Sequence, residues 1–109
     1  MPPTLAEIMA KVPEAFVPEK AGDVNAIVHF KFTGAEAGEW NATIRDGTCR
    51  IAQGIPRSRP TITVAADSDD YRRIVTGDLD PSRAFMDGKL RLTGDANMAM
   101  RLVSMFRMP

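Results

Sequence analysis

The stretch at residues 88–106 reads G-K-L-R-L-T-G-D-A-N-M-A-M-R-L-V-S-M-F. Leu90 and Leu92 alternate with Arg91, which predicts a short strand that runs into a helix. Asp95 stands where its carboxylate would cap that helix. The apolar side chains of the helix fill an arc of about 160° around its axis, and they are Met98, Ala99, Leu102, Val103, Met105 and Phe106. An arc this wide, rich in adaptable methionine, predicts a well-buried helix or one that walls an apolar space.

Upstream of this stretch, the apolar residues of residues 24–51 recur with a period of two, in three runs. Asp46 and Gly47 stand between the second and third runs and form a strong hairpin signal. The alternation gives each strand one apolar and one polar face, so this sheet needs cover on only one side. Ile62 and Val64 indicate a fourth strand, which makes the terminal strand the fifth.

Capping patterns also predict a helix near the amino terminus. Thr4 and Glu7 form a capping box ahead of apolar residues at helical spacing. Pro13 is expected to end this helix, or to begin a further turn that carries Phe16. Residues 18–23 are predicted to form a loop.

Two more helices are predicted between the fourth and fifth strands. Asp67 or Ser68 caps the first, and Gly77 closes it. Asp80 and Pro81 begin the second, with proline at its first position. This short helix is expected to turn three apolar side chains inward, namely Ala84, Phe85 and Met86. The predicted order of elements in a single domain, residues 1–109, is therefore α-β-β-β-β-α-α-β-α.

Composition excludes several classes of function. The chain has 109 residues, with fourteen basic and fourteen acidic side chains, and this balance argues against a nucleic-acid-binding protein. Residues 81–109 carry five basic and two acidic groups, which indicates a solvated face or, alternatively, contact with anionic lipid or phosphate. A single cysteine, no secretory signal and no apolar stretch long enough to span a bilayer predict a cytoplasmic location.

No catalytic residues are predicted. Cys49 and His29 are the only residues of their types, and strand alternation places them on opposite faces of the sheet, where they cannot share a proton. Cys49 is expected to be a small buried hydrophobe, and His29 a surface residue.

No metal site or cofactor is predicted either. Asp67, Asp69 and Asp70 resemble a fragment of a calcium loop, but the rest of the ligand pattern does not follow. Their place at a helix start explains them, because carboxylates there meet the positive end of the helix dipole. Arg57 and Arg59 could meet a phosphate, although a solvated loop is the preferred interpretation.

Three segments resemble the sterol carrier protein-2 (SCP2) domain family. They are W-N-A-T-I-R-D-G at residues 40–47, P-T-I-T-V-A-A-D-S-D-D at 60–70 and T-G-D-L-D-P-S-R-A-F-M-D-G-K-L-R-L-T-G-D at 76–95. The resemblance covers residues 24–106. It implies an α+β fold, an α/β sandwich in which a five-stranded mixed, largely antiparallel sheet carries helices on one face. It also implies a hydrophobic tunnel between sheet and helices that binds fatty acids, acyl-CoA, sterols or other lipids.

Carried over to this chain, the resemblance predicts a set of apolar ligand-binding residues and no catalytic ones. They are Trp40, Ile44, Ile51, Ile62, Val64, Phe85, Met86, Leu90, Leu92, Met98, Leu102, Met105 and Phe106. The expected partners are a lipid or fatty acyl ligand and, transiently, an anionic membrane surface, with the protein a monomer or weak homodimer. Because the chain lacks a peroxisomal ending, a stand-alone bacterial-type member with acyl cargo is expected.

The leading hypothesis is thus non-enzymatic binding or transfer of lipids. Apolar burial at about 25 cal/mol per Å² is enough to hold an acyl chain with micromolar affinity. The alternative is an interaction or dimerisation module with the same fold and no open cavity. A small hydrolase or thioesterase is the least favoured hypothesis, since Cys49 is its only obvious nucleophile.

Overall fold

A computed structural model describes residues 4–105 of the chain. Five strands form one sheet in the order β3-β2-β1-β4-β5, and they are β1 Ala26–Thr33, β2 Gly38–Arg45, β3 Thr48–Gln53, β4 Ile62–Asp67 and β5 Leu90–Gly94. β1 runs parallel to β4, whereas the other neighbouring pairs are antiparallel. The predicted five-stranded, mixed and largely antiparallel α+β fold is therefore confirmed.

The helices are α1 Leu5–Ala15, α2 Pro18–Ala21, α3 Ser68–Thr76, α4 Pro81–Met86 and α5 Ala96–Ser104. Near the amino terminus, the second of the two alternatives predicted for Pro13 is confirmed, and the prediction for residues 18–23 is wrong. α1 continues through Pro13 to Ala15, and the amide of Phe16 donates to the Pro13 carbonyl over 3.3 Å. The predicted further turn therefore forms, and it carries Phe16 into the core. The predicted loop at residues 18–23 contains the short α2, which has Pro18 at its first turn and buries Ala21.

The caps and turns that were predicted from residue type are confirmed. Thr4 accepts a hydrogen bond from the amide of Glu7, and Asp67 accepts from the amides of Asp69 and Asp70. The hairpin between β2 and β3 turns at Asp46, which has φ 52°, and the glycine that follows it also has a positive φ. Two successive residues with positive φ suit the twist of a two-residue hairpin.

The inner face of the sheet packs against the helices and forms the core. Phe30 on the central strand pairs with Trp40 of β2 and Val64 of β4, and Val64 pairs in turn with Leu92 of β5. Tyr71 of α3 lies over this face. The buried residues of the core cluster are Leu5, Met9, Phe16, Ala21, Val24, Ala26, Val28, Phe30, Phe32, Ala42, Ile44, Ile62, Leu102 and Met105.

Among residues 4–105, the outer face of the sheet buries one polar side chain. His29 lies on this face as predicted, yet the prediction that it is a surface residue is wrong, since it is 7% exposed. β1 is the central strand, and His29 is flanked by Asn41 and Thr63 on the neighbouring strands. Its Nε2 lies 3.1 Å from the Oε1 atom of Glu39.

Candidate functional site

An apolar groove opens between β5 and α5 at one edge of the sheet. Its volume is about 230 Å³, and it is open to solvent on one side. The residues that line it are Phe85, Leu92, Thr93, Gly94, Asp95, Ala96, Ala99 and Met100. Most of the lining is apolar, and the residues with polar side chains among it are Thr93 and Asp95.

The groove exists because the helices leave part of the inner face uncovered. Leu92 has inner-face parity, like Val64 beside it, yet it is 37% exposed. β5 is an edge strand, and α5 meets the groove through Ala96, Ala99 and Met100, of which the first two have small side chains. Apolar surface at this edge of the sheet is therefore accessible to a ligand.

A glycine is required where β5 passes into α5. Gly94 has φ +114°, and a Cβ atom there would collide with the carbonyl oxygen of Thr61. The next amide, of Asp95, donates to that same oxygen over 3.3 Å. The Asp95 carboxylate then accepts a 3.2 Å hydrogen bond from the amide of Met98, so the predicted cap of α5 is confirmed.

The residues predicted to bind the ligand fall into four groups. Four are buried in the core, namely Ile44, Ile62, Leu102 and Met105. Five are partly buried against or beside the core, namely Trp40, Ile51, Val64, Leu90 and Met98. Three are exposed, namely Phe85, Met86 and Leu92. Phe106 lies outside the described residues. The structure thus brings together two of the set, Phe85 and Leu92, in the groove.

The prediction that α4 turns three apolar side chains inward is wrong for two of them. Ala84 is completely buried, but Phe85 is 54% and Met86 83% exposed. Successive residues of a helix point about 100° apart, so a helix of six residues that directs Ala84 at the core directs its next two side chains elsewhere. Phe85 reaches the groove from the side, whereas Met86 does not line it.

Sequence reasoning missed several residues of the groove. Ala96 and Met100 were not predicted as ligand-binding, and Ala99 was assigned only to the apolar arc of the terminal helix. Met100 lies outside that arc and is 76% exposed. A large apolar side chain placed off the buried face of an amphipathic helix is the signal that could have identified it.

The described residues offer no assembled catalytic group. Cys49 is half-buried against the core rather than fully buried, and burial raises the pKa of its thiol to about 11, which keeps it in the poorly nucleophilic protonated form. Cys49 pairs with Ile44, on the face opposite His29, as predicted. Within residues 4–105, no cluster of three or more His, Cys, Asp or Glu side chains could hold a metal ion.

None of the helices within residues 4–105 is long and apolar enough to cross a bilayer.

The fold and the groove define an α+β domain with an apolar site at the edge of its sheet. A model of the SCP-2 sterol transfer family matches residues 5–107. The chain belongs to this family, as the resemblance predicted. Membership supports lipid binding or transfer as the general class of function.

Similar sequences and structures are found both as one part of larger proteins and as small proteins of about this length. The chain is 32% identical over 93 residues to hydroxysteroid dehydrogenase-like protein 2 of Xenopus tropicalis, an alignment that covers 84% of this chain and 22% of that protein. This chain therefore spans about a fifth of the length of the curated relatives it matches. Palmitated SCP2L2 from Aedes aegypti is 25% identical with a TM-score of 0.69, over 92% of this chain and 88% of that one.

The same fold forms part of an enzyme. The sec-alkylsulfatase Pisa1 from Pseudomonas sp. is similar to this chain with a TM-score of 0.80, at 17% identity. The match covers 98% of this chain and 17% of the sulfatase. At this level of identity the likeness shows a shared fold.

Proposed function

We propose that this protein binds the hydrocarbon part of a lipid between the inner face of its sheet and α5, and that the groove is the entrance. The observation that carries the proposal is the accessible apolar surface at Leu92, beside Phe85 and Met100. Apolar, concave lining with few polar groups is typical of sites for small apolar ligands. The palmitated relative favours a long acyl chain, as a fatty acid or fatty acyl-CoA, over other lipids.

The groove must widen to accept a whole acyl chain. Its volume of about 230 Å³ lies below the range of about 300–1,000 Å³ that is typical of ligand pockets. The wall that would move is α5 with the residue that follows it, where Met98 and Leu102 of the helix and Met105 just beyond it pack in or against the core. Methionine side chains adapt to irregular contents with little cost. The predicted tunnel would then form as lipid enters and these side chains separate from the sheet.

The proposed role is carriage without catalysis. The Cys49 thiol is held protonated, and His29 lies on the other face of the sheet, so the two side chains cannot exchange a proton. The matched region makes up only about a fifth of the hydroxysteroid dehydrogenase-like protein and of the sulfatase. In those larger proteins the domain would bind lipid while another domain catalyses the reaction. We expect this chain to do the same beside a separate enzyme.

Uptake of a fluorescent long-chain fatty acid by the delipidated protein tests the proposal. We expect saturable binding with Kd on the order of micromolar, and a change in the emission of Trp40, which packs against the core. Leu92→Asp should weaken uptake at least about tenfold, because it places a charge on the path of the hydrocarbon. Leu92 is partly exposed, so this variant should keep its fold, which far-UV circular dichroism verifies.

Ile55→Asp is the matched control. Ile55 is a large apolar side chain, 67% exposed, that lies in the β3–β4 loop away from the groove. It should bind the fatty acid as the parent does. Equal uptake by Leu92→Asp and Ile55→Asp, or no uptake of any chain length by the parent, would overturn the proposed function.

Self-association is the second candidate for the same surface. The exposed groove borders the open edge strand β5, and exposed apolar patches of this kind also mark protein interfaces. Sedimentation velocity distinguishes the two, because a dimerisation module would show a concentration-dependent dimer that Leu92→Asp dissociates and that fatty acid does not affect.

A further inference from the structure

Large exposed apolar side chains concentrate at one place on the molecule. Among the described residues there are five of them, and four lie on α4, β5 and α5, namely Phe85, Met86, Leu92 and Met100. We call Phe85, Met86, the turn at residues 87–89 and Leu92 the α4–β5 corner. Met86 is the most exposed of these side chains and lies outside the groove, so cargo binding does not explain it.

The backbone amides of the turn in the corner donate to carbonyl groups of α4. Ala84 anchors α4 in the core, and the amide of Lys89 donates to the Ala84 carbonyl over 2.8 Å. The amide of Gly88 donates to Phe85 at 3.2 Å, and that of Asp87 to Arg83 at 2.9 Å. A turn whose amides are bonded internally can enter a poorly hydrated environment without leaving donors unpaired.

Two cations lie in or beside the corner. Arg83 on α4 and Lys89 in the turn are exposed, and neither forms an ion pair with a side chain of residues 4–105. The carboxylates nearest in sequence include Asp80 and Asp95, which accept amide hydrogen bonds at the starts of α4 and α5. Within the corner itself, the acidic residue is Asp87.

We propose that the α4–β5 corner docks this protein on bilayers that contain anionic phospholipid. Phe85 and Met86 enter the boundary between headgroups and acyl chains, and Arg83 and Lys89 contact lipid phosphates and carboxylates. The inference rests on the proposed function, because it places the entrance of the lipid-binding groove against the membrane from which cargo is drawn. Phe85 lines the groove and is also part of the α4–β5 corner, so the two surfaces are adjacent.

Co-sedimentation with sucrose-loaded vesicles of phosphatidylcholine, with and without phosphatidylserine, tests the apolar part of the proposal. The parent should bind the mixed vesicles more tightly, and added salt should weaken this binding. Met86→Ser should reduce vesicle affinity about tenfold, because it removes an apolar anchor. Ile55→Ser removes an exposed side chain of similar size from the β3–β4 loop and should bind as the parent does.

A second pair of variants tests the charges. Lys89→Gln should weaken binding to the mixed vesicles about fivefold, since one cation near an anionic surface contributes about 1 kcal/mol. Lys11→Gln, on the exposed side of α1, removes an equal charge elsewhere and should leave binding unchanged. Neither substitution should alter binding to vesicles of phosphatidylcholine alone.

Several outcomes would overturn the docking surface. They are failure of the parent to bind either vesicle, equal binding by Met86→Ser and Ile55→Ser, and a dimer of the parent that Met86→Ser dissociates in the absence of vesicles. Uptake of fluorescent fatty acid from solution tests the proposed function without a membrane, so it distinguishes failure of membrane docking from failure of lipid binding. Met86 and Lys89 do not line the groove. Met86→Ser and Lys89→Gln should therefore take up fatty acid as the parent does, whether or not they bind vesicles.

Discussion

At the scale of single residues, Tyr71 shows how the sheet and α3 hold each other. Its ring centroid lies 5.0 Å from that of Phe32 and 6.2 Å from that of Phe30. Tilted and edge-on contacts such as these contribute about 0.5–1.5 kcal/mol beyond the area they bury. Burial raises the pKa of the Tyr71 phenol from 10.0 to about 12, because the phenolate would lose its hydration.

This shift predicts a loss of stability in alkali. Below pH 10, Tyr71 is protonated in both folded and unfolded states, so its contribution is fully present. Between about pH 10 and 12 the unfolded chain releases the proton and the folded one keeps it, so the free energy of unfolding falls as pH rises. Tyr71 is the single tyrosine of the chain, and phenolate absorbance therefore measures its titration directly.

Urea unfolding at a series of alkaline pH values measures the consequence for stability. Tyr71→Phe keeps the ring contacts with Phe30 and Phe32 and should show a shallower decline above pH 10 than the parent. Cys49 titrates over a neighbouring range, from its ordinary value of 9.0 to about 11, and contributes equally to both proteins. A phenol that titrates near pH 10 in the folded protein would contradict the expected shift.

At the scale of elements, α5 depends on its cap. Asp95 accepts from the amide of Met98, which satisfies one of the donors left free at a helix start. Asp95→Ala should lower the free energy of unfolding by about 1 kcal/mol, and Asp95→Asn should restore most of it, since an amide oxygen also caps. Urea unfolding of the three proteins measures the difference, and an Asp95→Ala variant as stable as the parent would contradict it.

Elements were predictable from the sequence where their causes are local. Caps such as Thr4 and Asp67, and the turn at Asp46, depend on residues within four positions, so residue type alone identified them. Burial was less predictable. His29 is covered because its strand lies in the centre of the sheet, and Met86 is exposed because Ala84 holds the core-facing position of a short helix. Both depend on strand order and packing, which local patterns do not contain.

The groove shows the same division between local and distant causes. Leu92 was predicted correctly to face inward from the alternation of its strand, which is a local property. Its exposure arises because β5 is an edge strand that borders the open groove, where α5 presents the small side chains of Ala96 and Ala99. The apolar character of the site was thus predictable from sequence, but its position at the edge of the sheet was not.

At the scale of the whole molecule, contacts between distant segments close the fold. The Glu36 carboxylate accepts from the amide of Leu5 at the start of α1, at 3.0 Å to each oxygen, and pairs with Arg72 of α3 at 3.4 Å. At the other end of α1, the amide of Val17 donates to the carbonyl of Met105 over 2.7 Å. α1 therefore connects the loop after β1 to the end of α5, and the proposed movement of α5 is constrained by the whole fold.

Because α5 is tied to the rest of the fold, we expect lipid binding to raise the free energy of unfolding of the whole protein. A ligand that binds the folded protein alone, at a hundred times its Kd, adds about 2.7 kcal/mol of stability, which in a domain of this size raises Tm by more than about 10 °C. Calorimetry with and without a long-chain fatty acid should show this rise for the parent and for Ile55→Asp. Leu92→Asp should show a much smaller rise, because the hydrocarbon cannot pass its carboxylate. An equal rise in all three proteins would mean that fatty acid stabilises the fold from a surface other than the groove.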